Sequence, residues 1–551
     1  MSEKLSILIA QTNPTVGDID YNKNIVLETI NKNQEVDLII FSELMLTGYP
    51  PEDLVLKSAF KNKCMQALEE INQFLKDKNC TVILGMPWDE GGYLYNAAIV
   101  LQNGSIVYKH FKNALPNYGV FDEKRIFLHG QDVESFNLKG VNLGIFICED
   151  IWVHDTVSKL NGIGIDLAIS INASPFDVNK INERIEAAVG FSKEIKAPIV
   201  YVNQVGGQDE IVFDGNSFFA DQNGLIKRLD YCQSVNELIE FDSNNKSFSF
   251  TEEGKGSLDN NDLIYSSLIL GLRDYVNKNR FPGVVLGISG GIDSAFSACV
   301  AADALGSEKV KGILMPSKFT SNESNKDANE LGKNLDIGLE SISIEKIVKS
   351  YDSTLDPLFK DSNQGITEEN IQSRIRGSLL MAYSNKFGHM VLTNGNKSEV
   401  SVGYSTLYGD MCGGFSVVKD LYKSDLYKLA EWRNKNVPSI SLLKKILLIP
   451  KNILTKEPTA ELKANQMDKD TLPPYEVLDK ILYFLVEKES SISEIVDAGF
   501  EVDIVTKVQN MLYNSEYKRR QAAPGVKISE RNFGYDRRYP ITNAFRDSKG
   551  S

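Results

Sequence analysis

The sequence predicts an α/β protein made of two unlike halves. Three observations carry that expectation. Short apolar runs bounded by turn residues alternate with helical stretches along the chain. Two Asn-Gly pairs join β-rich runs in the first half, whereas the second half opens on a strand, a glycine-rich turn and a helix. The formal net charge of −14 is also unevenly divided: residues 1–250 hold 21 basic and 34 acidic side chains, residues 251–551 hold 39 and 40. At roughly 150 residues per domain, a chain of 551 residues allows about two to four domains.

In the first half, residues 6–11, 37–42, 81–87, 142–148, 166–172 and 198–204 read as interior strands, each a brief apolar run between turn formers. Residues 95–110 and 216–229 read as hairpins turning at Asn103-Gly104 and Asn223-Gly224. Helices are expected over 22–33 and 60–79. Alternating helices and strands, with hairpins, point to a layered α/β sandwich. Residues 241–262 are polar and rich in Ser, Asn and Gly, and read as a linker. The expected division is therefore 1–245, a linker over 246–262, and 263–551.

Composition narrows the class. Hydrophobic residues make up 42% and charged residues 24%, as in an ordinary globular protein. No apolar run reaches the ~18 residues needed to cross a bilayer, so no membrane partner is expected. The first residues lack the basic region and cleavage site of a secretory signal. Six dispersed cysteines with no CxxC pair fit a reducing, cytoplasmic setting. The acidic balance argues against a general nucleic-acid binder.

Three polar residues of the first half lie where strands end or loops begin: Glu43 after 37–42, Lys112 after the first hairpin, and Cys148 at the end of 142–148. A carboxylate, an ammonium and a thiol together can hydrolyse an amide. The carboxylate takes the thiol proton, the thiolate attacks, and the ammonium stabilises the thiolate and the oxyanion. The carboxylate then protonates the departing ammonia and activates water.

The segments around these residues, FSELMLTGYPPEDL, LPNYGVFDEKRIF and CEDIW, resemble the nitrilase superfamily, in the branch that serves as the glutaminase domain of glutamine-dependent NAD synthetases. The resemblance covers roughly 1–245 and implies a four-layer αββα sandwich. It implies that Glu43 is the base, Lys112 the oxyanion and thiolate partner, and Cys148 the nucleophile. It also implies glutamine contacts at Tyr118, Ser174 and Lys180.

The second half begins with an expected helix over 265–280, then the run FPGVVLGISGGIDSAFSACVAADALG. Glycines there let backbone N–H groups approach an anion, and the following helix start adds partial positive charge. Ser289 and Ser294 can donate hydroxyl hydrogen bonds to a phosphate. Asp293 would repel phosphates unless a cation lies between them, which implies Mg²⁺.

SGGIDS resembles the pyrophosphate loop of the ATP pyrophosphatase family, whose members release pyrophosphate while transferring AMP to an acceptor. That resemblance implies a doubly wound parallel sheet with ligands at the C-terminal strand ends, and ATP contacts at Gly287, Ile288, Ser289, Gly290, Gly291, Ile292, Asp293 and Ser294. Residues 366–388 read as a helix capped by Thr367, with Asn370, Arg374 and Arg376 near its start. The segment VLTNGNKSEVSVGYSTLYGDMCGGFSVVKDLYKSDLYKLA (391–430) concentrates glycine and mixed charge in a way that suits a nucleotide site. Together these segments resemble the synthetase domain of NAD synthetases over 260–551. The resemblance implies an ATP contact at Thr393 and deamido-NAD contacts at Asn370, Glu399, Asp410, Lys423 and Lys518. Asp293 and Glu399 become the candidate Mg²⁺ pair.

The combined resemblance implies ATP-dependent amidation of deamido-NAD with ammonia from glutamine, a protected ammonia route and a homo-oligomer. Two other readings stay open at this point. One is an amidase fused to a nucleotide-sensing module. The other is an RNA-modifying ATP pyrophosphatase, to which the basic segment 515–546 lends some weight, with eight basic and three acidic residues.

Overall fold

A computed structural model describes residues 4–154, 156, 159, 163–250, 258–360, 362–363, 365–463 and 466–548. The chain forms two units, 1–259 and 260–551.

In the first unit, strands β1 (Lys4–Gln11), β2 (Leu38–Ile40), β3 (Thr81–Glu90), β4 (Tyr93–Gln102) and β5 (Ser105–Phe111) join β14 (Val235–Asp242) and β15 (Ser247–Phe250). They form a seven-stranded sheet in the order β15-β14-β1-β2-β3-β4-β5. A six-stranded sheet contains β6 (Ser135–Leu138), β7 (Val141–Ile147), β8 (Leu167–Asn172), β9 (Ile199–Asn203), β12 (Phe218–Asp221) and β13 (Gly224–Arg228), in the order β13-β12-β9-β8-β7-β6. A separate hairpin pairs β10 (Val205–Gln208) with β11 (Ile211–Asp214).

Side-chain alternation stacks these layers. Leu5, Ile7 and Ile9 of β1 share one core with Leu143, Ile145 and Ile147 of β7 and Leu167, Ile169 and Ile171 of β8, so the two sheets face each other. Leu8 and Ala10 of β1 point the other way and pack with Val26 and Ile30 of the helix Ile19–Lys32 and with Leu68 and Ile71 of the helix Ser58–Leu75. Behind the second sheet, Phe146 and Ala168 pack with Ala188 and Phe191 of the helix Lys180–Ile195. The result is the αββα sandwich. Strands β1 to β3 run parallel, as do β7 to β9, so their C-terminal ends gather the site residues.

The Asn103-Gly104 turn is as expected, with both residues at positive φ (49° and 74°). The stretch read as a linker behaves differently. Its beginning is β15, which pairs antiparallel with β14 and places Phe248 and Phe250 against the inter-sheet core. The alternation in SFSF is too short to stand out in polar sequence. The other end of the expected linker enters the helix Asn260–Lys278. Residues 251–257 lie outside the described residues.

Among its described residues the second unit has five strands, all parallel: β16 (Val284–Gly287), β17 (Val310–Leu314), β18 (Gly338–Ser341), β19 (Met390–Thr393) and β20 (Phe415–Ser416). Their order is β18-β17-β16-β19-β20, so the chain reverses its winding between β16 and β19. That reversal opens a crevice at the C-terminal ends of those two strands. Val285, Ile313 and Val391 of the sheet pack with Ile371, Ile375 and Leu380 of the helix Ile366–Phe387. This helix starts one residue before the expected cap. Gly365 is its N-cap, and its N–H donates to Glu368 Oε2 (2.6 Å), while Thr367 lies inside the first turn. A second core, built on Leu478, Ile481, Val505 and Leu512, gathers the helices after residue 470.

Candidate active sites

The first unit buries a charged cluster where both sheets end. Glu43 follows β2 by three residues and is fully enclosed. Its Oε1 accepts from Lys112 Nζ and from Asn96 Nδ2, each at 2.7 Å, and its Oε2 accepts from the Ala173 N–H at 2.8 Å. The chain can pass this point only because Gly85 lacks a side chain: a Cβ there would stand 2.4 Å from the Ser42 carbonyl and the Leu44 nitrogen. Lys112 comes one residue after β5 and also donates to Glu123 Oε1 (2.8 Å). Tyr49 Oη donates to the same Glu123 oxygen (2.8 Å). Cys148 follows β7 directly, opens a 3₁₀ turn, and adopts left-handed backbone (φ 46°), a conformation a non-glycine residue holds only where its surroundings demand it.

The electrostatics follow from this packing. Burial pushes the Cys148 thiol well above its ordinary range; Glu43 adds to that and Lys112 opposes it. The resting thiol is therefore protonated, and attack requires a base to take the proton. For Lys112, burial favours the neutral amine, but Glu123 and Glu43 outweigh it and hold the ammonium. Burial, with Glu43 nearby, lifts Glu123 to about 7 against the pull of Lys112.

The expected glutamine contacts gather beside this cluster. Tyr118 Oη donates to the Glu149 carboxylate (3.1 Å), and Lys180 lies 4.7 Å from the centre of the Trp152 ring. Burial raises the Glu149 carboxyl, opposed by Tyr118, Lys112 and Lys180 in turn. Ser174 follows Ala173, but its hydroxyl accepts from Arg184 Nε (3.0 Å). Arg184 also donates to Asp214 Oδ1 (2.8 Å) and to the Ser174 and Pro175 carbonyls (2.8 and 2.7 Å), fixing that loop. Sequence reasoning missed Glu123, Glu149, Asn96 and Arg184. Glu123 and Glu149 lay within the quoted motifs; Asn96 and Arg184 carry no local signal.

In the second unit, the crevice between β16 and β19 is a cavity of about 440 Å³. Gly287, Ile288, Ser289, Gly290, Gly291, Ile292, Asp293 and Ser294 line it, together with Thr393, Asn370, Glu399, Asp410, Lys423 and Lys518. All the ATP and deamido-NAD positions expected from sequence are thus in one place. Gly291 caps the helix Ile292–Leu305, whose N-terminus therefore opens into the cavity. Gly290 has φ +81°, and a Cβ there would meet the Ser324 carbonyl at 2.4 Å. Ser289 and Ser294 hydroxyls sit 3.1 Å apart across the loop.

Lys423 bridges the expected metal pair, donating to Asp293 Oδ2 (2.6 Å) and Glu399 Oε1 (3.1 Å). Asn396 adds a bond to Asp293 Oδ1 (2.7 Å). Burial and the Asp293 charge lift Glu399 to about 8, although Lys423 pulls it down. Asp410 accepts from the Thr406 N–H (2.7 Å) and Ser373 Oγ (3.1 Å). Asn370 Oδ1 accepts from Thr406 Oγ1 (2.8 Å), and Lys518 Nζ donates to the Gly403 and Ser405 carbonyls (2.7 Å each). A segment that sequence reasoning did not single out closes one side: Glu461 accepts from Ser324 Oγ (2.7 Å) and Lys456 Nζ (3.1 Å), and both partners line the cavity.

Comparison with known proteins fits this geometry. Residues 7–229 match the carbon-nitrogen hydrolase family and residues 264–522 the NAD synthase family. The chain is 41% identical to the glutamine-dependent NAD(+) synthetase of Acinetobacter baylyi over 550 residues, covering 99% of each protein. The chain belongs to the glutamine-dependent NAD(+) synthetase family. It is also 41% identical to the Thermotoga maritima member over 583 residues, covering 99% of this chain and 100% of that one. Among solved structures, the Acinetobacter baumannii glutamine-dependent NAD(+) synthetase in complex with ADP aligns at a TM-score of 0.78 and 40% identity, covering 99% of this chain and 100% of that one. The Cytophaga hutchinsonii enzyme of the same family shares the fold at 22% identity, a TM-score of 0.83 and 98% coverage of both chains.

Proposed function

We propose that this chain makes NAD by ATP-dependent amidation of deamido-NAD, with ammonia drawn from glutamine. The observation that carries the proposal is full-length kinship with glutamine-dependent NAD(+) synthetases across both units. The assembly of a Glu-Lys-Cys cluster in one unit and a nucleotide-sized cavity in the other supports it.

In the first unit, Glu43 takes the Cys148 proton as sulfur attacks the side-chain amide carbon of glutamine. Lys112 stabilises the oxyanion. The C–N bond breaks, Glu43 returns the proton to the leaving ammonia, and a γ-glutamyl thioester remains. Glu43 then takes a proton from water, which releases glutamate and the thiol. Lys180 and Glu149 offer one charge of each sign to the zwitterionic end of glutamine, with Tyr118 and Ser174 beside them.

In the second unit, a nicotinate carboxylate oxygen of deamido-NAD attacks the α-phosphorus of ATP, and pyrophosphate departs toward the Ser289–Ser294 loop and the helix N-terminus behind it. Ammonia attacks the resulting acyl-adenylate, and AMP leaves. Asn370, Asp410, Lys423 and Lys518 are the proposed deamido-NAD contacts, and Thr393 an ATP contact. Asp293 and Glu399 would hold Mg²⁺, whose charge offsets the phosphates. The donor set fits: two carboxylates already converge on one cation, Lys423, and Mg²⁺ commonly takes one or two carboxylates plus phosphate and water oxygens. Among the described residues no group of three or more such ligands could hold an ion without the nucleotide. A cytoplasmic location and a homo-oligomer complete the proposal; no disulfide joins the described cysteines, which fits a reducing compartment.

Cys148→Ala tests the division of labour. It abolishes glutamine-driven NAD formation and retains ammonia-driven formation. Loss of both in a folded protein would refute the two-site reading, and glutamine hydrolysis without AMP release would favour an amidase with a sensing module.

A further inference from the structure

Asp150 belongs to no step above, yet four hydrogen bonds converge on it from both sides of the glutaminase cluster. Its Oδ1 accepts from the N–H groups of Asn113 and Ala114, both at 2.8 Å, the two residues directly after Lys112. Its Oδ2 accepts from the N–H of Ile147 (3.0 Å), the residue directly before Cys148, and pairs with His110 Nε2 (3.0 Å), two residues before Lys112. Asp150 is fully enclosed and His110 nearly so. Oδ2 already accepts from the Ile147 N–H, and the tautomer of His110 that fits this geometry is the one that donates from Nε2.

We propose that Asp150, oriented by His110, is the positioning residue that fixes the Lys112 ammonium relative to the Cys148 sulfur. The inference rests on the glutaminase reading of this site. Lys112 and Cys148 sit at the ends of strands in different sheets, so nothing in either sheet's ladder sets their separation. The sheets meet chiefly through apolar side chains, which specify spacing loosely compared with directed hydrogen bonds, and the Glu43 link from Lys112 to the Ala173 N–H ends just past β8 rather than at the strand that carries Cys148. One carboxylate with one oxygen on each strand end supplies the missing constraint. The 3₁₀ turn Cys148–Ile151 brings it there, because Asp150 follows the nucleophile by two residues. His110 holds Oδ2 from the side, and its ring meets Phe146 edge-on at 6.3 Å. Such supporting contacts routinely govern how well the reacting groups perform.

The test compares Asp150→Asn, His110→Gln and His110→Leu in the full-length protein. Asn offers one acceptor where two are needed. Gln can present an N–H where His110 Nε2 stands, and Leu cannot. Each variant is measured for glutamine kcat and KM, and for the rate and final stoichiometry of Cys148 labelling by the glutamine analogue 6-diazo-5-oxo-norleucine. Asp150→Asn is expected to label to full stoichiometry, with labelling rate and kcat lowered about 30-fold or more and KM changed less than about threefold, as for a small misplacement of reacting groups. His110→Leu is expected to lose about tenfold in kcat, and His110→Gln to stay within about threefold of the native chain. Asp150→Asn retaining kcat within about threefold would overturn the inference. So would loss of activity only in proportion to lost labelling sites, or equal behaviour of the two His110 variants, since a merely structural role gives those results. A native chain that does not hydrolyse glutamine, or a Cys148→Ala variant that does, would instead overturn the underlying reading.

Discussion

Glu399→Gln should remove synthetase activity and yet make the protein more stable in alkaline solution. Glu399 sits about 17% exposed beside Asp293, and burial together with that charge raises its carboxyl to about 8. Its ordinary value is 4.5, so the folded state holds its proton more tightly than the unfolded chain does. Stability from this group is fully present below pH 4.5 and is lost as pH rises to about 8. At about 1.4 kcal/mol per pH unit, the full shift corresponds to roughly 4–5 kcal/mol, an upper figure because Lys423 and Asp293 share the proton equilibrium. Glutamine is the neutral isostere of the protonated form. Thermal midpoints of native chain and variant should therefore coincide near pH 5 and separate by about 5–15 °C by pH 9, the variant melting higher, at roughly 2–4 °C per kcal/mol for a unit of this size. Differential scanning calorimetry from pH 5 to 9 measures this, and the difference between the two proteins cancels every other titrating group. Excess Mg²⁺ should shrink the gap by favouring ionised Glu399. Parallel midpoint curves, or a variant that melts lower at pH 9, would refute the electrostatic account.

Gly290→Ala should raise KM for ATP about 30-fold or more while glutamine hydrolysis persists, because its Cβ would meet the Ser324 carbonyl at 2.4 Å on a left-handed backbone; steady-state kinetics with each substrate checks this. Lys112→Met should destabilise the first unit by about 3–5 kcal/mol and abolish glutamine hydrolysis, since it leaves Glu43 and Glu123 buried without their cation; urea titration and a glutaminase assay read the two effects. Arg184→Leu should cost about 3–5 kcal/mol and raise KM for glutamine, because it strands Asp214 and frees the Ser174–Pro175 carbonyls.

The sequence was most informative where chemistry and secondary structure coincide. Cys148, Glu43 and SGGIDS each stand at the end of an apolar run, so strand ends could be located and their polar residues noticed together. The winding reversal was legible only through resemblance, because the order β18-β17-β16-β19-β20 depends on pairings far apart in the chain. Missed site residues fall into two kinds. Glu123 and Asp150 lie within recognisable motifs but act through contacts on other elements, so their neighbours gave no hint of their partners. Lys456 and Glu461 come from a loop with no strand or helix period, brought to the cavity by bonds to Ser321 and Ser324 about 140 residues earlier. The edge strand β15 was lost for a simpler reason: four residues alternating Ser and Phe inside a polar tract are too few to establish a period.

The two sites use one electrostatic device to opposite ends. In each, a lysine is held between two carboxylates: Lys112 between Glu43 and Glu123, and Lys423 between Asp293 and Glu399. Accessibility separates them. The first trio is sealed, with side chains at most 5% exposed, so the Lys112 cation has no competitor and stays in place while, in the proposed mechanism, Glu43 carries the thiol proton. A cation held in one place in a buried site suits a reaction whose transition state builds an oxyanion at a constant position. In the second trio Lys423 is buried, but its partners remain 17–19% exposed and line the cavity. Those carboxylates line a cavity that a nucleotide with its divalent ion could enter, and burial keeps the proton on Glu399 although Lys423 opposes it. Such a site would trade a proton for a cation: Glu399 would release its proton to a divalent ion arriving with a nucleotide and take it back once the ion leaves.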